Sequence, residues 1–487
     1  MQRQAAKVTW NELVWDLTFV ALCTHLSREL HEEAGLTLSQ STLVKLFVPI
    51  WRFWYHSVMV MMRKSRRDLF TKDSYFYFLT MALMVCWSTN FGRCLKWEPP
   101  GFDDKGRPII DDHSTYWACA DSNFFYVQLR AIILLSYAIL AYRDSSSRKS
   151  HLWNVFVNFV CIAGYSSMMT LGHYPTQARV DALVLIHTVT IGFDAASGLL
   201  PVFLFGALGS EYSADAKLTK HGHVIAERFG LMIVLCMGEL VVSATIDMND
   251  GAYDDWEHPQ SAWDNWTGWT SPYAGRVMVV LITYCLKLIL FDAAAAEEAY
   301  GSSHPMEGGG VRAELWQLSH APIAFFLVVL GGECHAMNES NTAFTGLDAR
   351  RCRVFNLCLG GILIISGLQL LLYQEGKCQE KVLFKPKRVR VCARLVVGVS
   401  IVLFREVWKK KGEGVGSGLQ FLGLVAAVMS VVVVDVNLRN WSHVLLKRDA
   451  LTERVDEENI EREKWINELE AVLALLQRKG VNWAENI

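Results

Sequence analysis

Two carboxylates stand one helical turn apart near the beginning of the chain. Glu12 and Asp16 are four residues apart, so a helix through this segment carries both on one face. Like charges at this spacing repel, which favours a proton shared between them. Thr9 and Glu12 also form a capping-box pattern, which gives Glu12 a structural role at the start of a helix. Asp16 lies beyond the reach of a cap and therefore needs a cation or water.

A second charged group lies near the middle of the chain. Glu227 and Arg228 are adjacent, and Glu239 follows eleven residues after Arg228, about 16 Å further along a helix. We predict that Arg228 contacts Asp16, directly or through one water, because both enter an apolar segment from the same end. Glu227 and Glu12 are the alternative partners of Arg228. Glu239 is too distant from Arg228 to pair with it and must find its partner on another helix.

The segments that hold these charges are long and apolar. Of the 487 residues, 52% are hydrophobic and 20% charged, and the mean hydropathy is +0.21. A helix needs about 20 apolar residues to cross a bilayer, and lipid leaves no other partner for the backbone of such segments. We predict an all-α polytopic membrane bundle with about twelve spans. The predicted spans are 10–30, 41–62, 75–94, 123–142, 153–172, 180–209, 224–246, 276–296, 313–337, 354–373, 391–407 and 416–438.

The loops indicate the orientation of the bundle. The loops after the second, fourth and tenth predicted spans are rich in Lys and Arg, whereas 95–122 and 247–275 are acidic. Basic loops stay in the cytoplasm, so both termini are predicted to be cytoplasmic.

The chain divides into a transmembrane domain over 1–440 and a charged tail over 443–479. The first and seventh spans open on carboxylates in the same orientation, which suggests a parallel six-plus-six arrangement of 8–210 and 221–440. The tail is an amphipathic helix with too much charge to span. A solvated cytoplasmic extension is the simplest interpretation; attachment to the membrane, a coiled coil and packing on the protein's own loops remain open.

Charged residues at membrane depth are the main functional signal. Each costs about 2.5–3.5 kcal/mol at the centre of a span, so it persists when paired, solvated or used. By position in the predicted spans, Arg130, Glu239 and Glu333 lie toward the outside, and Asp194 and Lys287 near the middle. The other groups at membrane depth, apart from those that open the first and seventh spans, are His187, Asp292, His320 and Asp435. Such a series suits a path for an ion, a proton or a polar solute, and it also suits a rigid bundle held by ion pairs.

Several function classes find no support in the residues. The net charge of −2 gives no case for a nucleic-acid partner. The sequence contains no metal-binding motif, no histidine pair spaced for haem and no nucleophile elbow, so the cofactor stays unknown and an enzyme is disfavoured. The bilayer is the predicted partner, with a homo-oligomer or a protein bound by the tail left open.

Two segments resemble a known family. Residues 12–20 read ELVWDLTFV, similar to the ELFFDLVFV opening of the low temperature requirement protein A (LtrA) family. His223 with ERFG at 227–230 and GE at 238–239 resembles its second signature, and a looser block runs from His320 to Glu333. The chain departs from the family pattern at Val14, Trp15, Met237 and Leu240. The resemblance implies a multi-pass membrane protein and leaves its molecular activity open.

We therefore predict a membrane transporter or channel for an ion or small polar solute, and coupling to protons is an open option for its mechanism. A structural or stress-response membrane protein that acts through its tail is the first alternative, and a membrane enzyme on a lipid or redox substrate is the second. The residues expected to carry protons or ions, or to form a charge network, are Glu12, Asp16, Glu227, Arg228, Glu239, Asp194, Lys287 and Glu333.

Overall fold

The computed structural model describes most of the bundle. The described residues are 10–32, 40–63, 72–89, 101–102, 108–109, 113–145, 147–172, 177–198, 200, 222–245, 272–292, 304–308, 310–339, 349–373, 386–408, 426–435, 437, 459–468, 470–471 and 474.

Long apolar helices dominate this part of the chain, as predicted. Those before residue 200 are α1 (Trp10–Glu32), α2 (Gln40–Arg63), α3 (Lys72–Ser88), α4 (His113–Arg143), α5 (Arg148–Gly172) and α6 (Gln177–Ala196). The described helices after residue 200, including a single turn and the charged tail helix, are α7 (Gly222–Thr245), α8 (Pro272–Lys287, continued by the π-helical turn Leu288–Asp292), the single turn α9 (Pro305–Gly308), α10 (Gly310–Glu339), α11 (Ala349–Leu372), α12 (Pro386–Trp408), α13 (Ala426–Asp435) and α14 (459–468).

A minimal pair of strands lies between α3 and α4. β1 (Gly101–Phe102) pairs antiparallel with β2 (Pro108–Ile109). This ladder belongs to the acidic segment predicted as a loop and leaves the helical character of the bundle unchanged.

Several helices meet the requirements for crossing a membrane. Four of those described are both long and apolar enough: Ser122–Arg143, Arg148–Met169, Val311–Cys334 and Arg353–Leu372. Shorter apolar stretches occur at Leu13–Leu26, Phe78–Ser88, Leu185–Ala196, Val279–Phe291 and Ala426–Asp435. The chain is thus an integral membrane protein of the multi-pass type, while the total of about twelve spans stays a prediction.

Large apolar side chains also cover the outside of the bundle. Phe78 is 69% exposed, Phe159 62% and Leu185 64%. Soluble proteins rarely expose apolar surface on this scale, whereas lipid accepts it without cost. These side chains form the surface expected to face the bilayer.

The sixth helix is shorter than the predicted span 180–209. α6 ends at Ala196, and the Ser197 hydroxyl donates a hydrogen bond to the Asp194 carbonyl oxygen at 2.7 Å. The Ser197 N–H also donates to the Asp194 carbonyl oxygen at 3.2 Å, a bond three residues back that tightens the last turn of the helix. Residues 201–209 of the predicted span lie outside the described residues.

Neighbouring helices follow a regular order of contacts. In the first part α1 packs on α2 and α3, α3 on α4, α4 on α5, and α5 on α6. In the second part α7 packs on α8 and α10, α10 on α11, and α11 on α12. The two parts meet where α1 contacts α7 and α10 and where α2 contacts α10.

Close approach of α11 and α12 depends on two glycines. A Cβ added to Gly360 would lie 2.6 Å from the carbonyl oxygen of Gly398, and one added to Gly398 would lie 2.8 Å from that of Gly360. Small residues at such crossings are the usual means of helix association in membranes, where packing replaces the hydrophobic effect.

Candidate functional site

The predicted contact between Asp16 and Arg228 is confirmed. Arg228 Nη2 donates to Asp16 Oδ1 at 2.7 Å, and both side chains are fully buried. α1 and α7 present the two residues near their first turns, so both enter the bundle from the same end. Each charge neutralises the other where water is excluded.

Aromatic residues surround this ion pair. Trp54 of α2 donates its indole N–H to the same Asp16 oxygen at 2.9 Å. Its ring lies 5.2 Å from that of Phe229, which follows Arg228 in the chain. The sequence carried no signal for the role of Trp54, because a tryptophan in an apolar span is ordinary.

The alternative partners proposed for Arg228 were Glu227 and Glu12. The Glu227 side chain is exposed, on a different face of α7 from the buried Arg228. Adjacent residues on a helix point about 100° apart, so burying one turns the other outward. Glu12 lies in α1, but its side chain falls outside the described residues.

Asp194, at the end of α6, is held by arginines from two other helices. Arg52 of α2 donates its Nε to Asp194 Oδ1 at 3.2 Å, and Arg130 of α4 donates an Nη to Oδ2. Arg130 also donates to the Tyr126 hydroxyl at 2.7 Å and to the Asn158 amide oxygen at 3.0 Å. The positions in the predicted spans put Arg130 toward the outside of the membrane and Asp194 near its middle. The contact between the two side chains shows that they lie at the same depth, so this prediction was wrong.

Sequence reasoning missed Arg52, although the signal was available. It lies within the predicted second span, between Trp51 and Phe53, where a charge demands a partner by the rule applied to the other residues. Arg52 also donates to the Ser197 hydroxyl and lies 3.2 Å from His56 Nε2. The network thus joins α2, α4, α5 and α6.

A similar cluster forms around Asp435 in the second part. Arg390 donates its Nε to one carboxylate oxygen at 3.1 Å, and Arg394 donates Nε and an Nη to the other. Arg394 also donates to the carbonyl oxygen of Ile289 at 3.0 Å, in the π-helical turn after α8. This cluster explains how the predicted span 391–407 tolerates Arg394.

Glu239 has a different environment from these aspartates. The described residues hold three fully buried carboxylates, Asp16, Asp194 and Asp435, and each contacts an arginine. The half-buried Glu239 instead accepts a hydrogen bond from the Thr24 hydroxyl of α1 at 2.6 Å, and it has no ion-pair partner in the described part of the chain. A neutral partner leaves the carboxyl able to bind a proton or a small cation.

Two small features shape the surroundings of Glu239. Gly331 of α10 lies against it, and a Cβ added there would lie 3.0 Å from Glu239 Cγ. The thiols of Cys23 and Cys236 are buried and close enough to interact electrostatically with the carboxylate. Thr24 and Gly331 were not anticipated, because neither residue type marks a site in an apolar helix.

The two remaining candidates lie elsewhere. Glu333 on α10 is half-buried, near the thiols of Cys334 and Cys358. Lys287, at the end of α8, lies on the exposed face of that helix. Over the described residues, no group of three or more His, Cys, Asp or Glu side chains is arranged to hold a metal ion.

Comparison with known proteins adds one match. The sequence model of the family described as bacterial low temperature requirement A protein (LtrA) matches residues 7–445. No curated protein and no solved structure matches the chain. The matched range includes both segments that suggested this family, 12–20 and 223–239.

Proposed function

Because the chain belongs to the LtrA family of membrane proteins, we propose that it is a transporter or channel for an ion or small polar solute, coupled to protons through Glu239. The observation that carries this proposal is the contrast between Glu239, bound to a threonine hydroxyl, and the buried aspartates, bound to arginines.

The contrast has a chemical consequence. Protonating Asp16 or Asp194 would leave a buried arginine without its counter-ion, which is strongly unfavourable. Protonating Glu239 removes a charge from the membrane interior and leaves no cation unmatched. Glu239 can therefore load and release a proton during a transport cycle, while the arginine-bound aspartates stabilise the bundle.

The order of helix contacts favours the parallel six-plus-six arrangement, which is part of the proposal. In each half the first helix packs on the second and third, the third on the fourth and the fourth on the fifth, where α7, α8, α10, α11 and α12 correspond to α1 through α5. Asp16–Arg228 and Thr24–Glu239 both join α1 to α7, and the second contact lies further along both helices. The two first helices therefore run side by side in the same direction.

The position of Glu239 also favours transport. Transporters built from repeated halves bind their substrate and coupling ion where the halves meet, near the middle of the membrane. Glu239 meets the first of these conditions, since Thr24 belongs to the first half and Glu239 to the second; by its position in the predicted span it lies toward the outside. Glu12 and Glu333 are further acidic groups for the same path; Asp194, Lys287 and Glu227 take structural or peripheral roles.

A structural or stress-response role through the tail is the alternative. It is favoured by the described tail residues 459–468, which form a helix exposed along its whole length. On that hypothesis Glu239 is a packing residue and the protein moves no solute. Both termini lie in the cytoplasm on either hypothesis.

A flux assay with purified protein in liposomes distinguishes the transport hypothesis from the structural one. We expect an inward proton gradient to drive a pH change or charge movement in the wild type, and Glu239→Gln to abolish its pH dependence. Glu227→Gln is the matched control, because it removes a carboxylate that is exposed on the same helix. Gly331→Ala should weaken the flux, since the added methyl displaces Glu239.

Direct proton uptake is an assay that needs no known solute. Wild-type protein in detergent should bind about one proton more than Glu239→Gln when the pH is lowered across the titration of the site, one proton per carboxyl group. Equal uptake by the two proteins, together with wild-type liposomes that move neither charge nor protons, would contradict the proposal.

A further inference from the structure

We propose that the space over Gly198, directly after α6, binds a small zwitterion of the α-amino acid class. Arg52 of α2 holds the carboxylate of this ligand, and Glu314 of α10 holds its ammonium group. The role of the site in transport rests on the proposed function, whereas the binding itself does not.

The buried cluster around Asp194 carries one positive charge in excess. Arg52 and Arg130 are both buried, and within the described residues a single carboxylate, that of Asp194, contacts the two guanidinium groups. His56 adds no charge. Its Nε2 lies 3.2 Å from an Arg52 nitrogen that can only donate, so Nε2 accepts and the ring proton lies on Nδ1, next to the Tyr137 hydroxyl. A buried charge without full compensation is costly, which favours a further anionic group beside these arginines.

One nitrogen of Arg52 is available to such a group. Within the described residues Arg52 donates from Nε to Asp194 and from Nη2 to Ser197 and His56. Nη1 makes none of these bonds, and it is not one of the atoms that are buried without a partner, so it keeps contact with open space. It lies 3.8 Å from the position of a Cβ on Gly198. Because the other bonds fix the planar guanidinium, Nη1 is a preorganised donor for a carboxylate.

A carboxylate of the second half faces the same space. Glu314 Oε2 lies 3.6 Å from the same Cβ position on Gly198, and both residues are half-buried. One turn after Glu314, the Gln317 side chain accepts a hydrogen bond from the Tyr55 hydroxyl at 2.9 Å, which holds this face of α10 against α2. Arg52 and Glu314, one from each half, therefore present opposite charges to the space over Gly198.

Opposite charges that approach one space without pairing suit a ligand that carries both signs. The ion pair of Arg52 within the described residues is with Asp194 and not with Glu314. A simple anion there is repelled by Glu314, and a simple cation is repelled by Arg52. A ligand with a carboxylate and an ammonium on neighbouring atoms satisfies both side chains and brings no net charge into the bundle. The α-amino acids have this arrangement, whereas single ions and sugars lack it.

The location of this space agrees with the proposed function. Arg52 and Gly198 belong to the first half and Glu314 to the second, and transporters built from repeated halves bind their substrate where the halves meet. Glu239 also contacts the first half, through Thr24. The zwitterion and the coupling proton are thus assigned to two separate positions between the halves.

The melting temperature of the purified full-length protein in detergent tests for binding. Each common α-amino acid is added in turn at constant pH. We expect at least one of them to raise the melting temperature by about 2 °C or more, because a ligand that binds the folded state stabilises it by mass action. Acetate and methylammonium carry the two charges on separate molecules and should give no shift at the same concentration.

Gly198→Ala should abolish the site and leave the fold intact. The added methyl carbon lies 3.6 Å from Glu314 Oε2, 3.8 Å from Arg52 Nη1 and 4.0 Å from Leu318 Cδ2, so it collides with none of them and fills the space that they share. We expect the affinity for the amino acid to fall about tenfold or more, the effect of overfilling a binding space. Gly192→Ala is the matched control, since nothing lies within 4 Å of its added Cβ, and it should keep the affinity of the wild type.

Glu314→Gln should change the class of ligand. The amide no longer attracts the ammonium group or repels an anion, so the amino acid should bind more weakly, and acetate should now raise the melting temperature through Arg52 Nη1. This variant removes no atom from the fold, so it tests the site independently of Gly198→Ala.

Three results would overturn the proposal: no shift with any α-amino acid in the wild type, an equal shift with acetate in the wild type, or wild-type affinity in Gly198→Ala. These measurements use no gradient and no change of pH. They are therefore independent of proton uptake by Glu239, and failure of the zwitterion site leaves the proton-uptake assay unaffected.

Discussion

Asp16 Oδ1 and Arg228 Nη2 lie 2.7 Å apart in a fully buried position, although 212 residues separate them in the chain. Trp54 donates a further hydrogen bond to the same oxygen. The two family motifs, one in α1 and one in α7, therefore meet in space at a charged contact.

We predict that Asp16→Asn destabilises the protein by about 3–5 kcal/mol, because Arg228 then loses the buried carboxylate at 2.7 Å that neutralises it. Unfolding in detergent, by heat or denaturant, measures the loss. Replacing both residues by leucine should cost less than the single change. Glu227→Gln, next to Arg228 but exposed, should change stability by no more than about 0.5 kcal/mol. Equal stability of Asp16→Asn and Glu227→Gln would contradict the structural role of the pair.

Asp194→Asn is expected to be at least as harmful, since one carboxylate serves both Arg52 and Arg130. We expect a loss of about 3–5 kcal/mol or failure to fold. Asp144→Asn is the comparison, because the Asp144 side chain is 42% exposed, lies 3.6 Å from His151 and accepts a hydrogen bond from the Ser147 N–H at 3.4 Å. That change should cost about 1 kcal/mol or less, as for other exposed ion pairs. A similar loss in both variants would count against the buried network.

Gly360→Ala should destabilise the protein by about 1–3 kcal/mol, because the new methyl collides with the backbone of α12. Gly192→Ala is the control: it also lies in a helix, but nothing lies within 4 Å of the added Cβ. Alanine is the better helix former, so Gly192→Ala should be neutral or stabilising by up to about 1 kcal/mol. Thermal melts of the two variants measure the difference, and a neutral Gly360→Ala would refute the close contact.

Removing the residues after 445 should leave an inserted, folded membrane domain. The described tail residues 459–468 are all exposed, so the truncation removes no packed side chains there. Size-exclusion chromatography and the melting temperature of the truncated protein test this prediction. Aggregation, or a melting temperature that falls by more than about 5 °C, would indicate that the tail packs on the domain.

Reagent access to terminal tags in sealed cells tests the orientation. The Lys and Arg residues of the even-numbered predicted loops place both termini in the cytoplasm, so tags there should react only after the membrane is opened. A C-terminal tag that reacts with an outside reagent in intact cells would reverse the predicted topology.

The sequence by itself determined the class of the protein and the end of the helix at which Asp16 and Arg228 each lie. Long apolar segments can only be helices in lipid, and Asp16 and Arg228 both stand near the start of their helices. Position along a span follows from counting residues, which is why this pair could be predicted. Counting residues along the predicted second span could also have identified Arg52 as a charge within the membrane that needs a partner.

Only the tertiary structure decided which helices are neighbours. Counting residues does not show that Asp194 lies between α2 and α4, or that α12 folds against α13 so that Asp435 meets Arg394. Nor does it show that Glu239 faces a threonine of α1 and not an arginine. Helix neighbours depend on packing, as at Gly360 and Gly398, and packing couples residues far apart in the chain. Helix packing therefore decides whether a buried carboxylate lies against an arginine, as Asp194 does, or against a neutral hydroxyl that leaves it able to take up a proton, as Glu239 does.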